Sequence, residues 1–485
     1  MPLRRLRRCP PLTGKAATRG RAYSVNVITS SDRLQNLVPD FKPRMLSHHH
    51  KLRYASGNFG KSLLWSVLEF FLLYHLTDFL GFDPAVAGIV VLLALVWDAV
   101  TDPVIGYLAD RYVNSGGTYA PFLRFAPPLL VAAFIGIFSI PPMPMSVLVP
   151  LAIVANLVFR TLFTLFDVPH NALLAIISDD SRERSTISGL RFFFSSFASL
   201  LVAVAIYPVL VEGSTSEGLL RVFLFVAGIG MLAMAVMWLT VGVIKAHPGK
   251  TARPSRGMPI GAYLKGLLSN RHARHILLVA SLVAVSVPVF SKLLLYYATY
   301  NLGNESWGSP LLVSLTVGQM IGLPLWVWLS HSISKARVAQ VALLGLSVVL
   351  LVFYIVRPDE LELLMGMIAL AGIAIGGIYT LIWAIAPDVV ESLESTQGKR
   401  LEAGVFSLLT LSQKVSIGIG AALAGLSLDW AGFEPDQVQS AQTLDAILLI
   451  LCGIPGIGAL VAAWVLRWSD LDHEAHARLR RKLLA

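Results

Sequence analysis

Apolar residues gather in twelve long blocks separated by short polar stretches, at 58–80, 84–109, 122–143, 146–177, 187–211 and 219–244, then at 274–300, 307–330, 337–356, 362–388, 402–427 and 441–467. A helix rises about 1.5 Å per residue, so about 20 such residues cross a hydrocarbon layer of about 30 Å. Each block is therefore predicted to be a membrane-spanning helix. Between the sixth and seventh lies a longer polar stretch, KAHPGKTARPSRGMPIGAYLKGLLSNRHAR, basic and rich in Pro and Gly. The pattern predicts an all-α integral membrane chain of twelve transmembrane helices in two six-helix bundles, 51–245 and 274–467. Residues 246–273 are expected to be a cytoplasmic linker, 1–50 a basic, disordered extension and 468–485 a cytoplasmic tail. Carriers whose two halves rock around a midplane site are built in this way. No residue-level repeat relates the halves.

Charge placement supports the count. One set of loops carries Arg111 and Arg124, Arg182 and Arg184, Lys335 and Arg337, then Lys399 and Arg400; the other carries Asp83, Glu212 and Glu217 with Arg221, Glu305, Arg357 close to Asp359, Glu360 and Glu362, then Asp429, Glu434 and Asp436. Basic loops mark the cytoplasmic side, which puts both termini of this multi-pass chain in the cytoplasm and the chain in the cell membrane. Composition agrees: 55% of residues are hydrophobic and 14% charged, against about 25% charged in soluble chains. The net charge of +10 follows topology, so nucleic acid is not an expected partner. Cys9 and Cys452 suggest neither a disulfide framework nor a metal site, and no phosphate loop, HExxH or GxSxG element is present. Six arginines precede the first acid, Asp32, with no apolar segment after them. That excludes a secretory signal and leaves a transit peptide, a basic tail or an extension upstream of Met45.

Asp98 and Asp102 interrupt the second apolar block. Each acid at mid-bilayer costs roughly 2.5–3.5 kcal/mol on the lenient scale, so both must face protein, a cavity or a cation. Four residues apart, they share one helix face at about 5–6 Å. That is the geometry of a cation site; its bland counterpart is an ion pair that only fixes helix packing.

Several segments then fall into a known order. KLRYASGNFGKSLLW, WDAVTDPVIGYLADR, FTLFDVP, LRFFF, IAPDVVESLESTQGKR and SLLTLSQKVSIGIGAALAG together resemble the glycoside–pentoside–hexuronide:cation symporters of the major facilitator superfamily, typified by the melibiose permease. The resemblance runs from about Lys51 to Arg467 and implies the major facilitator fold with an alternating-access cavity. It also implies that Asp98, Thr101, Asp102 and Thr164 line the cation site. Two carboxylates and two hydroxyls suit sodium at Asp98 and Asp102; Thr at the coupling position, where sodium users more often have Asn, leaves the proton open. Lys414 matches the family's counter-charge, expected to hold the acids when the cation is away.

For the solute, the resemblance points to Lys61, Asp167, Arg191 and Thr410. His170 and Asn171 lie at i+3 and i+4 from Asp167 and form a polar face with it. Ser62 stands where many galactoside carriers have an acid, and Asn171 where the melibiose permease has a stacking tryptophan; Trp65 and Trp383 offer other apolar faces. Arg160, seven residues before Asp167, lies on nearly the same face and is expected either to make the solute pocket cationic or to pair with Asp167 or Glu69. Asp110 and Arg111 resemble the superfamily's cytoplasmic latch, expected to be weak because SGGTYAP replaces the usual basic pair. Asp388, Glu391 and Arg400 are the corresponding gating residues of the second half. The expected function is cation-coupled symport of a small polar solute, a glycoside or uronate, without covalent chemistry or a cofactor beyond the coupling ion. The chain is expected to work as a monomer in membrane lipid. Alternatives are a carrier of a lysophospholipid or other amphipathic anion, a non-transporting receptor and an integral-membrane enzyme.

Overall fold

The computed structural model describes residues 46–469 except 142, 179, 212–215, 247–258, 399 and 435–436. The extension expected at 1–50 therefore lies outside the described residues up to 45, as do Lys399, most of the central linker and the tail beyond 469. Among the described residues there are twelve long helices. The first six are α1 (His48–Tyr74), α2 (Pro84–Asn114), α3 (Ala120–Phe138), α4 (Met145–Ile177), α5 (Ser181–Val211) and α6 (Ser216–Ala246). A short helix, α7 (Ile260–Ser269), follows in the linker. Then come α8 (Arg271–Tyr296), α9 (Gly308–Ser332), α10 (Lys335–Val356), α11 (Leu361–Gln397), α12 (Glu402–Trp430) and α13 (Ala441–Leu466). Eleven of the twelve long helices, all but α1, are apolar enough along a full window to cross a membrane; α1 is as long but carries Lys61 and Glu69 within its span.

Helix ends are set by local chemistry. Ser47, Asn270, Ser334 and Ser440 accept backbone N–H groups at the starts of α1, α8, α10 and α13, satisfying donors the first turn leaves free. Gly398, at φ +66°, turns the chain out of α11 in the left-handed region that glycine enters without strain.

The two halves repeat each other in packing where they do not in residues. In the first, α1 packs on α5 and α6, α3 on α4 and α6, and α2 on α4. In the second, α8 packs on α12 and α13, α10 on α11 and α13, and α9 on α11. Both α1 and α8 end in a single π turn, His75–Phe79 and Tyr297–Asn301. Across the bundle interface α2 and α4 meet α12, and α9 and α11 meet α5. Glycines allow the closest approaches: Gly318 and Gly322 of α9 face the backbone of Ala369 and Ile373, while Gly372 and Gly376 of α11 face that of Leu315 and Gln319. Small residues four apart let membrane helices touch along their backbones.

On α2 the division of faces is sharp. Leu92, Val96 and Val100 are 58%, 57% and 55% exposed, whereas Asp98 and Asp102 are 0% exposed. The apolar stripe faces outward and the acids face protein.

Candidate functional site

Four helices converge on the two acids. Arg160 of α4 donates from Nη1 to Asp98 Oδ2 at 3.0 Å. Lys414 of α12, from the other bundle, lies 3.3 Å from Asp98 Oδ2 and 3.0 Å from Asp102 Oδ2. Thr164, one turn beyond Arg160, donates to Asp102 Oδ1 at 2.7 Å. The Thr101 hydroxyl donates back to Trp97 O at 3.1 Å on its own helix. Trp65 of α1 roofs the cluster, with the Arg160 guanidinium 4.6 Å and the Lys414 ammonium 5.9 Å from its ring centre. Asp98 Oδ1 is buried without a hydrogen bond. Arg160 thus belongs to the acid cluster and pairs with neither Asp167 nor Glu69.

A second network lies alongside. Lys61 Nζ donates to Asp167 Oδ1 and, at 2.9 Å, to Asn171 Oδ1. Asn171 Nδ2 returns a bond to Asp167 Oδ2 at 2.9 Å. Arg191 of α5 donates from Nη2 to Asn171 Oδ1 and from Nε to Asn58 Oδ1 at 2.9 Å. Its guanidinium lies 5.3 Å from the Trp383 ring centre and 5.5 Å from that of Tyr54, and its Nη1 has no hydrogen-bond partner. Ser62 and Asn58 both donate to Ser195 of α5, at 3.0 and 3.1 Å. Thr410 donates to Phe406 O of its own helix at 2.8 Å. His170 stands apart from this group: it is 0% exposed and stacks between Tyr54 and Phe166, with Nε2 3.1 Å from Tyr54 O. Its position is that of a packing residue between α1 and α4.

At the end of the molecule that carries the linker, polar bonds join the bundles. Arg184 of α5 donates to Asp388 at 3.0 Å and Glu391 at 2.6 Å on α11. Lys335 reaches Asp388 from within the second bundle at 2.8 Å. Arg400 pairs with Glu394 and Glu402 and donates to Ala175 O of α4 at 3.1 Å. Asp110 of α2 accepts the N–H groups of Ala403 and Gly404, both at 2.8 Å, at the start of α12, where a helix favours negative charge. It also accepts from Tyr119 and Tyr263 hydroxyls at 3.0 and 2.8 Å. Burial, reinforced by Asp110 itself, holds both phenols well above their ordinary pKa, so each stays a donor. The segment SGGTYAP therefore supplies Tyr119 to the latch. Asp110 is held by four bonds, and the expected weakness of the latch is not what the bonding gives. Arg111 is exposed and has no part in it. In the sequence Arg184 and Lys335 stand out only as basic loop residues; in the structure they are the cations that meet the Asp388/Glu391 pair.

Two bundles of six membrane-crossing helices, with buried ion pairs at their interface, define a transporter of the major facilitator fold. The chain belongs to the MFS/sugar transport protein family, whose profile matches residues 53–473. Members of this family are transporters, not enzymes. An uncharacterized symporter of Bacillus subtilis (strain 168) is 25% identical over 447 residues, covering 91% of this chain and 96% of its own. A glucuronide carrier protein homolog of Escherichia coli (strain K12) is 26% identical over 428 residues, 88% and 93% of the two chains. A sodium-dependent lysophosphatidylcholine symporter of Gallus gallus is 23% identical over 476 residues, 90% and 89%. In fold, a bacterial homologue of the iron transporter ferroportin, in its outward-facing state, matches with a TM-score of 0.63 over 87% of this chain and 99% of that one, at 13% identity.

Proposed function

We propose that the protein is a cation-coupled secondary active symporter of a small polar solute, a glycoside or a uronate-type sugar, working by alternating access. The observation that carries this reading is Lys414: one ammonium from the second bundle rests on both acids of the first, at 3.3 and 3.0 Å. A mobile cation, sodium or proton, competes with Lys414 for that negative charge, so ion occupancy changes what holds the bundles together. Solute and ion then each bind better in the presence of the other, which is all that coupling requires. The solute is held between Lys61, Asp167, Asn171 and Arg191, with Trp383 as an apolar wall. Two cations and one acid in that network, and a free Nη1 on Arg191, favour a carboxylated sugar over a neutral one. The relative named as a glucuronide carrier supports the same choice. No cofactor takes part beyond the coupling ion.

The basic loops support a cytoplasmic linker end and cytoplasmic termini in the cell membrane; with the bundles bonded together at that end, this reading makes the described conformation outward-facing. The protein works as a monomer surrounded by lipid.

Uptake into sealed vesicles tests the reading. Solute should accumulate only under an imposed sodium or proton gradient, and Asp102→Asn should abolish accumulation while protein levels persist. A panel of glycosides, uronates and lysolipids identifies the solute class. Accumulation that persists in Asp102→Asn would sink the cation assignment.

A further inference from the structure

The acid cluster is already neutral. Asp98 and Asp102 contribute two negative charges, and Arg160 and Lys414 two positive ones. The donor set for a small cation is nonetheless present: Asp98 Oδ1 is buried without a hydrogen bond, Asp102 Oδ2 meets only the Lys414 ammonium, and the Thr164 hydroxyl bonds Asp102 Oδ1 beside them. A cation entering this cluster would leave a net positive charge away from water unless one resident cation moved, and an uncompensated buried charge is costly.

Arg160 has somewhere to go. Its guanidinium lies against Trp65 of α1, and its Nε is buried with no hydrogen-bond partner. One turn beyond Trp65 on the same helix is Glu69, about 5–6 Å along that face. Glu69 is exposed and, among the described residues, has neither an ion pair nor a hydrogen bond. Glu69, Trp65 and Arg160 line one cavity of about 230 Å³ together with Gly88 and Val91 of α2. Lys414, by contrast, is shared between both acids, and the neighbouring Asp167 is already engaged by Lys61. Glu69 also lies on the side of the cluster away from the linker end: it is eight residues beyond Lys61 on α1, about 12 Å further along the helix.

We propose that Arg160 is a tethered competitor for the coupling cation: it holds Asp98 when the ion is absent and crosses the Trp65 face to Glu69 when the ion binds. Arg160 is then a positioning residue for coupling, and Glu69 its second seat. The inference rests on the symport reading and names how its ion site is regulated. Apparent ion affinity is reduced by the fraction of molecules in which Asp98 is closed by Arg160. Removing Arg160 removes that penalty; removing Glu69 enlarges it, but only while Arg160 is present.

Sodium binding to the purified full chain, read by isothermal titration calorimetry with choline chloride as ionic-strength control, distinguishes this from a static ion pair. Arg160→Gln should tighten sodium binding about ten-fold or more, and Glu69→Gln should weaken it by about ten-fold. In the Arg160→Gln background, Glu69→Gln should have no effect. Arg160→Lys, which keeps a tethered charge, should bind no more tightly than the native chain. Should Arg160→Gln misfold, Glu69→Gln and Arg160→Lys still give an answer, because an unchanged affinity in Glu69→Gln contradicts the exchange. Equal weakening by Glu69→Gln in both backgrounds would make Glu69 a direct ligand and overturn the proposal, as would sodium binding to none of the variants. Gradient-driven uptake is read separately: uptake driven by protons without any sodium binding overturns this exchange alone, and no gradient-driven uptake at all removes the symport reading.

Discussion

At Arg191 one guanidinium serves three neighbours: Nε bonds Asn58, Nη2 bonds Asn171, and the planar face lies toward Trp383 of the opposite bundle. A lysine would keep the charge and lose the fork and the stacking plane. Arg191→Lys is therefore expected to weaken uronate uptake about ten-fold while changing uptake of a neutral glycoside much less, the usual scale for one lost charged hydrogen bond. Competition uptake with both solutes measures the split; equal losses would make Arg191 a packing residue. The same scale explains where sequence reasoning stopped short. Spacing along α2 brings Asp98 and Asp102 to one face, and Thr164 and Lys414, which only the family resemblance named, contact Asp102 from other helices. Arg160 shares a face with Asp167 by its seven-residue spacing, but helix side chains lean toward their own N-terminus. On α4 that carries Arg160 away from Asp167 and onto α2, a neighbour that spacing within one helix does not reveal. His170 likewise sits at i+3 from Asp167 yet turns toward Tyr54.

Along whole helices, apolar blocks located every span, and their bounds fell short where polar residues are buried by protein. The first helix begins at His48, ten residues before its apolar block at 58, because Lys51, Tyr54 and Ala55 are buried there and Ser47 caps it. The tenth span continues through Pro387 to Gln397, since Asp388 and Glu391 find Arg184 across the interface. Hydropathy alone ends a helix at its first charges; tertiary ion pairs let it continue. The linker helix α7 was hidden in a Pro/Gly-rich stretch, and it delivers Tyr263 to Asp110. The glycine pairs 318/322 and 372/376 carry their own signal, a GxxxG spacing. Gly318→Leu is expected to cost about 1–3 kcal/mol through overpacking against Ala369, seen as a lower Tm in detergent. Gly345 of α10, with open space around it, should tolerate Ala with no loss. If both substitutions lower Tm alike, close backbone approach is not what Gly318 provides.

For the molecule as a whole, the conformation depends on the polar bonds between bundles at the linker end. Arg184 is the central member: fully buried on the first bundle, it contacts two acids of the second at 3.0 and 2.6 Å. Lys335 contacts the same Asp388 but belongs to the second bundle, so its pair persists whether the bundles are together or apart. This difference separates conformational bias from stability. Breaking a buried pair costs about 3–5 kcal/mol; for Arg184 that cost falls on the closed form, whereas for Lys335 it falls on both forms. Ser407, 0% exposed where α12 meets Gly106 of α2, reports opening. In a cysteine-free background, Ser407→Cys should react slowly with a maleimide supplied from the linker side. Adding Arg184→Gln should raise that rate at least ten-fold, since more than 1.4 kcal/mol is removed from the closed state. Adding Lys335→Gln should lower Tm and leave the rate unchanged. Equal acceleration by both would show the linker end loosening through general destabilisation, and the bundle-to-bundle role of Arg184 would have to be abandoned.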